Sequence, residues 1–300
     1  MAFKNTMLSI EHRNERDGRV FMSYKIVLDS CGELPAELMQ DERFERVPLT
    51  LEVGDERILD DESFDQADFL RKVAKCPKCP KSACPSPERY MESYHETSAE
   101  HVYAITLSSP LSGSYNSAEL GKRLYLEKYG QKQIHVIDSR SASGGETQIA
   151  LKLVELEEAG LPFEEIVRQI EASRDSIQTY FVLDNLETLR KNGRMSGIKA
   201  FVASTLNIKP VMGAAKGEII LRSQTIGLNK ALRKLAELAA SEVKNPLERR
   251  LIITHCNAPD RAKQVKTLIL EKTSFKECIV MDMRGISSLY ANDGGVIVTT

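Results

Sequence analysis

The chemistry open to this chain sits in three short, hydroxyl-rich segments. In SSPLSGSYNSA (108–118), serines and a glycine crowd a loop that runs into a helical pattern. Small residues let the backbone approach a ligand closely, and hydroxyls together with helix N-terminal N–H groups donate to anions. Ser112, Gly113 and Ser114 are therefore a candidate cradle for a carboxylate or phosphate, with an ordinary N-capping loop as the plainer reading. In KSACPSPE (81–88), Ser82 and Ser86 flank a proline-constrained extended stretch, which a turn into the helix PERYMESY would also explain. In Asn192-Gly193-Arg194-Met195-Ser196, the glycine suits the end of one helix and the serine the N-cap of the next. That leaves Arg194 on a connection, either as solvated surface or as a contact for an anion or a partner.

Several catalytic classes lack their residues. The sequence has no G-x-x-x-x-G-K-[ST] phosphate loop and no G-x-G-x-x-G at the first strand–helix turn. It has no G-x-S-x-G nucleophile elbow. The histidines are His12, His95, His101, His135 and His255. His101 and His135 open strands, at the end away from the hydroxyls. His255 ends a strand and is the best candidate base for a serine hydrolase built on Ser112 or Ser114, although a strand-end histidine satisfied by its neighbours is the plainer reading. Six cysteines are too dilute for a disulfide scaffold. Cys76, Cys79 and Cys84 in CPKCPKSAC could offer zinc three thiolates, with His95 or Cys31 as a distant fourth ligand. A structural zinc site usually repeats the C-x2-C pair, and this one does not. Free thiols in a proline-rich loop are the expectation, with no metal and no cofactor.

The elements that must position these residues follow from apolar spacing. YKIVL (24–28), HVYAITL (101–107) and IHVI (134–137) are strands by composition and length. Each ends in hydroxyls, and two end in Asp-Ser. NSAELGKRLYLEKY and ETQIALKLVELEEA read as helices, the second placing Ile149, Leu153 and Leu156 on one face. Strands alternating with helices imply a parallel sheet with covered faces, which binds ligands beyond the carboxyl ends of its strands. After about residue 173 the texture changes. TYFVLD is a strand, 186–189 a short helix, and IKPVMGAA and GEIILRS a hairpin around Lys216-Gly217. LNKALRKLAELA turns Leu228, Leu232, Leu235 and Leu238 toward a core, and RLIITH, ECIVMDM and GVIVT are further strands with a helix at 258–272 between the first two.

The expected organisation is a leader at 1–22 without periodicity and expected to be disordered, an N-terminal parallel-sheet α/β domain at 23–173, and a C-terminal α+β domain at 174–300. At about 150 residues per domain, 300 residues suit two. Lys+Arg 41 against Asp+Glu 43 gives net −2, which argues against a broad nucleic-acid surface. The longest stretch without a formal charge, 101–118, carries five serines, a threonine, an asparagine, a proline and a glycine, so it is no membrane span. With no apolar signal segment in the first twenty residues, the expected location is the cytoplasm.

Six motifs in order then align with one family: the sequence resembles the DegV family of bacterial fatty-acid-binding proteins over nearly its whole length. Asp29-Ser30-Cys31-Gly32-Glu33-Leu34-Pro35 is similar to the family's D-S-x-x-[DE]-L-P, and Val47-Pro48-Leu49 to its V-P-L. Ser82-Ala83-Cys84-Pro85-Ser86-Pro87 falls where the family has T-S-Q-P-S-P, and Leu111-Ser112-Gly113-Ser114-Tyr115 resembles L-S-G-T-Y. Asp138-Ser139 and Gly193-Arg194-Met195-Ser196 match D-[ST] and G-R-[IV]-S. The resemblance implies a two-domain α/β protein, not an enzyme, that encloses a long-chain fatty acid between its domains and presents the carboxylate to a fatty acid kinase for acyl-phosphate formation. A sensor of acyl chains without a kinase partner is the nearest alternative. The implied carboxylate site is Ser82, Ser112, Gly113 and Ser114, with Arg194 and Arg222 as implied phosphate or partner contacts. Two departures stand out: Ser82 replaces the family threonine, and Tyr290-Ala291-Asn292-Asp293-Gly294-Gly295 replaces a C-terminal H-x-G-P-G segment whose histidine reaches the headgroup. Tyr290 and Asn292 are the candidate substitutes.

Such a ligand suits a greasy slot. Burial is worth roughly 0.8 kcal/mol per methylene, so about sixteen carbons supply on the order of 10 kcal/mol before the costs of binding. A charge-assisted hydrogen bond adds about 1.5–3 kcal/mol. The tail should set affinity and the hydroxyls orientation. Phe181, Leu186, Leu189, Phe201, Val202 and Leu206 are candidate lining residues.

Overall fold

The computed structural model describes residues 24–195 and 207–300. The leader read at 1–22, together with Ser196, Phe201, Val202 and Leu206, lies outside the described residues. In chain order the first half runs β1 (Tyr24–Asp29), β2 (Phe44–Val47), β3 (Thr50–Val53), β4 (Glu56–Leu59), α1 (Gln66–Lys75), β5 (Lys81–Ala83), α2 (Pro87–His95), β6 (His101–Thr106), α3 (Ser114–Tyr129), β7 (Gln133–Asp138), α4 (Gly144–Glu158) and α5 (Phe163–Arg174). The second half runs β8 (Thr179–Val182), α6 (Glu187–Lys191), β9 (Ile208–Ala215), β10 (Glu218–Ile226), α7 (Leu228–Glu242), β11 (Arg250–His255), α8 (Pro259–Leu270), β12 (Glu277–Asp282), α9 (Gly285–Ala291) and β13 (Val296–Thr299).

The three strands read from composition form one parallel sheet with β2, in the order β2-β1-β6-β7. From β1 the chain first builds outward to β2, then returns to build on the other side with β6. That reversal makes the carboxyl ends of β1 and β6 a topological switch point, where a crevice opens in sheets of this kind. Val102 to Thr106 of β6 are all buried, as a central strand covered on both faces requires. Pro48 lacks the N–H to continue β2, and after it the chain joins a separate antiparallel sheet, β4-β3-β5. This small sheet was not legible in the sequence. Its strands hold three or four residues each and bury few side chains.

The second half forms a six-stranded mixed sheet, β10-β9-β8-β13-β11-β12, in which only β11 and β12 pair in parallel. Leu232 and Leu235 of α7 are fully buried beneath it, and Leu228 and Leu238 pack at the edge of the same cluster. The two sheets share apolar contacts. Ile26, Ile105 and Ile137 of the first sheet, Ile149 and Leu153 of α4, and Ile252 of β11 form one buried cluster. Gly144 lets α4 approach this closely, since a Cβ there would stand 2.8 Å from the Ile252 side chain. The β9–β10 turn returns to the first sheet at Gly217 (φ +84), whose carbonyl accepts from the Ser108 hydroxyl at 2.7 Å.

Candidate functional site

The switch point opens into a narrow cavity between the two halves. Its free space, counting the mouth, is about 840 Å³. Leu49, Leu107 and Leu111 line it from the first half, and Phe181, Leu189 and Ile297 from the second. Of the expected lining, Phe181 and Leu189 are therefore in place. Leu186 is buried instead in the neighbouring core with Met195 and Met212.

Ser82, Ser112, Arg194 and Tyr290 lie on this wall, and Arg140, Ser141, Thr179 and Ser287 also line the cavity. Ser82 lies on β5, and its hydroxyl is 2.9 Å from the Tyr290 hydroxyl on α9. The Arg194 guanidinium lies 5.7 Å from the centre of the Tyr290 ring. Its Nε donates to the Leu111 carbonyl at 3.1 Å and Nη1 to that of Asn192 at 2.7 Å, which holds the arginine beside Ser112. Ser112 Oγ accepts from the Ser114 N–H at 3.2 Å and lies 3.2 Å from the Ser114 hydroxyl, so its hydrogen can be given to that oxygen or to a ligand.

The other expected residues are placed differently. Gly113 precedes α3 and packs against Cys84, and a Cβ there would lie 3.0 Å from the sulfur. Ser114 is fully buried behind Ser112, with its hydroxyl 3.2 Å from that of Ser112. Asn292 does not line the cavity: it ends α9 at φ +57, accepting from Thr188 at 3.3 Å and donating to the Tyr290 carbonyl at 3.2 Å. Arg222 does not reach it either. Its guanidinium is held by both Glu242 oxygens, at 2.5 and 2.6 Å, and lies over the Tyr180 ring. Ser86 caps α2, accepting from the Arg89 N–H at 3.3 Å.

The strand-end Asp-Ser pairs brace loops rather than face the cavity. Asp29 accepts from the N–H groups of Cys31 at 3.0 Å and Leu107 at 2.8 Å, tying the tips of β1 and β6 together. Ser30 Oγ accepts from the Leu49 N–H at 3.0 Å. Asp138 binds the Ser109 N–H at 3.0 Å and its hydroxyl at 2.6 Å. Sequence reasoning missed the group that sets Tyr290 in place. Asp60 is fully buried and accepts from the N–H groups of Gly285 at 2.9 Å and Ile286 at 2.8 Å, the first two residues of α9. A lone aspartate after a short edge strand carries no sequence signal for that role.

His255 is a satisfied strand-end residue. Its Nδ1 lies 3.2 Å from Asp282 and accepts from the Ala258 N–H at 3.3 Å. Among the described residues no histidine is bonded to Ser112 or Ser114, so the loop has no base of the kind a serine hydrolase needs. The proposed zinc ligands also diverge. Cys84 faces Ser117, Cys79 faces Asn192, His95 stacks on Tyr129 at 3.9 Å, and Cys31 sits on the cavity wall. Among the described residues no helix is long and apolar enough to cross a membrane.

Comparison with known proteins agrees with this geometry. A family model described as "Uncharacterised protein, DegV family" matches residues 23–299. A DegV domain-containing protein of Streptococcus pyogenes serotype M1 is 36% identical over 282 residues, which cover 92% of this chain and 99% of that one. A solved DegV family protein from Ruminococcus gnavus ATCC 29149, refined with vaccenic acid, is 52% identical with a TM-score of 0.91, covering 93% of this chain and 100% of that one. The Streptococcus pneumoniae Fatty Acid Kinase (Fak) B3 protein loaded with linoleic acid is 32% identical with a TM-score of 0.83, covering 93% and 99%.

Proposed function

The chain belongs to the DegV family, and from that premise we propose that it encloses one long-chain fatty acid and presents the carboxylate to a fatty acid kinase. The observation that carries this reading is a narrow hydrocarbon cavity on whose wall Ser82, Ser112, Tyr290 and Arg194 converge. The tail fills the slot and supplies most of the affinity, roughly 0.8 kcal/mol per buried methylene. Ser112 donates to one carboxylate oxygen, its acceptor side being occupied by the Ser114 N–H. Ser82 and Tyr290 act as a pair, each able to donate outward while the other accepts. Tyr290 thus supplies the C-terminal donor that other family members draw from a histidine. Arg194 sits where it can meet the carboxylate, or the phosphate of an acyl phosphate, whereas Arg222 is engaged elsewhere and drops out of the site.

No group of this chain is assigned a catalytic step, because the phosphoryl transfer is the partner's. The kinase reading draws support from the similarity to the pneumococcal protein, and it places the work in the cytosol. Mass spectrometry of the protein, denatured after gentle purification, tests the ligand: a co-purified long-chain acid is expected. A clean spectrum with no uptake of added palmitate or oleate contradicts the carrier. A pull-down with the host's fatty acid kinase, comparing wild type with Arg194→Ala, tests the partner; no capture of wild type would leave an acyl-chain sensor.

A further inference from the structure

Directly behind the serine loop lies a buried group that the carrier reading leaves unused. A carboxylate oxygen of Asp29, one of Glu146 and the Cys31 sulfur all lie within 4.8 Å of one another. Asp29 and Glu146 are 0% exposed and Cys31 is 3% exposed. Neither oxygen of Glu146 has a hydrogen-bond partner. The Tyr90 hydroxyl is also fully buried and unpartnered, and the charges of the same two acids act on it. The other ionisable group facing Glu146 is Glu33, and among the described residues neither Asp29 nor Glu146 forms an ion pair. Two ionised carboxylates here would be acceptors facing acceptors, with no cation between them.

The pair connects to the headgroup site in two steps. The Ser114 hydroxyl lies against Asp29 and 3.2 Å from the Ser112 hydroxyl, and Ser112 lines the cavity. We propose that Asp29 and Glu146 hold a single proton between them, and that this shared proton favours the bound acid by halving the negative charge behind Ser112. The proton belongs on Glu146. Asp29 keeps its charge because two backbone N–H groups donate to it, whereas Glu146 has no donor at all. Glu146 O–H donates to Asp29, the Ser114 hydroxyl donates to Asp29 as well, and the Ser114 N–H fills the acceptor side of Ser112. With the Ser114 hydrogen on Asp29, the Ser112 hydrogen can be given to the Ser114 oxygen or to the ligand. Burial accordingly holds Asp29 up at about 6 and Glu146 well above the usual carboxylate range. When the shared proton leaves, a second buried negative charge appears behind the bound anion and repels it.

This inference rests on the acid-binding reading, and the test separates the two. Binding of hexadecyl sulfate, whose charge does not titrate, is measured from neutral to alkaline pH in wild type and Glu146→Gln, with uncharged hexadecanol as control. Wild-type affinity for the sulfate should fall roughly tenfold as the pair ionises, the effect of one unit charge at an effective dielectric of about 20 over about a nanometre. In Glu146→Gln, which keeps Glu33 but cannot ionise at the pair, that tenfold component of the fall should be missing. Cys31, Glu33, Tyr90 and Tyr290 are common to both proteins, so the difference isolates the pair. A flat wild-type profile, or a variant profile that follows wild type, overturns the proposal. So does a stoichiometric divalent cation in the purified wild type that is absent from the variant. Should the variant not fold, calorimetry of wild type in buffers of different ionisation enthalpy decides: proton uptake on binding the sulfate at alkaline pH is expected, and none refutes it. Absence of binding by hexadecanoate and by both probes at every pH would instead sink the carrier reading itself.

Discussion

Two sets of polar residues crowd the tips of the same sheet, and they differ in what their hydrogen bonds serve. Asp29, Ser30 and Asp138 are turned inward, accepting from the N–H groups of Cys31, Leu107, Leu49 and Ser109. Ser82 and Ser112 lie on the cavity wall, where a ligand can reach them. Residue type does not separate the sets, since serines occur in both. What separates them is whether the side chain also lines the cavity: Ser112 accepts from the Ser114 N–H as Ser30 does from that of Leu49, yet it stands on the cavity wall. Buried N–H groups demand a partner, and a hydroxyl that meets one can still donate its own hydrogen to a ligand.

The largest effect expected from breaking the first set is at Asp60. Asp60→Ala strips both N-terminal N–H groups of α9 and leaves Arg46, whose side chain is 5% exposed, without its facing charge. A loss of about 3 kcal/mol or more in denaturant unfolding is expected. Intact stability would mean that α9, and with it Tyr290, is held by packing alone.

The contrast itself is tested by a serine exchange. Ser30→Ala orphans the buried Leu49 N–H and Ser112→Ala that of Ser114, so each should cost about 1–3 kcal/mol of stability. The variants differ in ligand retention. Ser112→Ala and Ser82→Ala should weaken palmitate binding roughly ten- to hundredfold, the worth of one charge-assisted hydrogen bond. Equal retention in all three variants would remove the headgroup assignment.

A smaller, pH-dependent effect distinguishes the inward set as a whole. Burial raises Asp29 to about 6 and Glu33 to about 8, against burial's opposition Lys276 and Arg250 pull Glu155 down to about 2. Carboxyls with raised values hold protons in the folded chain that the unfolded chain has released, so their contribution to stability is present in mild acid and declines as pH rises toward about 8. Glu155 works the other way, and its contribution is lost only as pH falls toward about 2. Unfolding midpoints should therefore peak on the acid side of neutrality. A midpoint that rises steadily from pH 5 to 8 would contradict the burial of these acids.

The smallest effect separates the two arginines. Arg222→Ala breaks a half-exposed pair with Glu242 and should cost no more than about 1 kcal/mol, with no change in acid binding. Arg194→Ala should reduce binding or capture of the kinase at similar stability. Matching losses in both would restore Arg222 to the site.

Much of this was readable beforehand, for reasons visible in particular residues. The alternation of YKIVL, HVYAIT and QIHVID with amphipathic helices specified the parallel sheet, because periods of 2 and 3.6 are local properties of the chain. Lys216-Gly217 marked a turn that backbone geometry favours. The serine loop was legible as an anion cradle, but not which of its members would face the cavity. Ser114, Arg222 and Asn292 looked as available as Ser112, Arg194 and Tyr290, and long-range partners decided otherwise: Asp29 beside Ser114, Glu242 on Arg222, and Thr188 on Asn292.

Sequence alone determined the strands and helices around the main sheets, the family and the kinds of polar group at the strand tips, since each depends on residues close together in the chain. Tertiary structure alone decided which of those groups remained free, because that depends on donors and charges far away in sequence. Asp60 meets Gly285 and Ile286, and Glu146 comes to rest beside Asp29, only after the chain has folded. Burial removes the water that would otherwise satisfy every one of these groups equally, and so makes the competition for partners decisive.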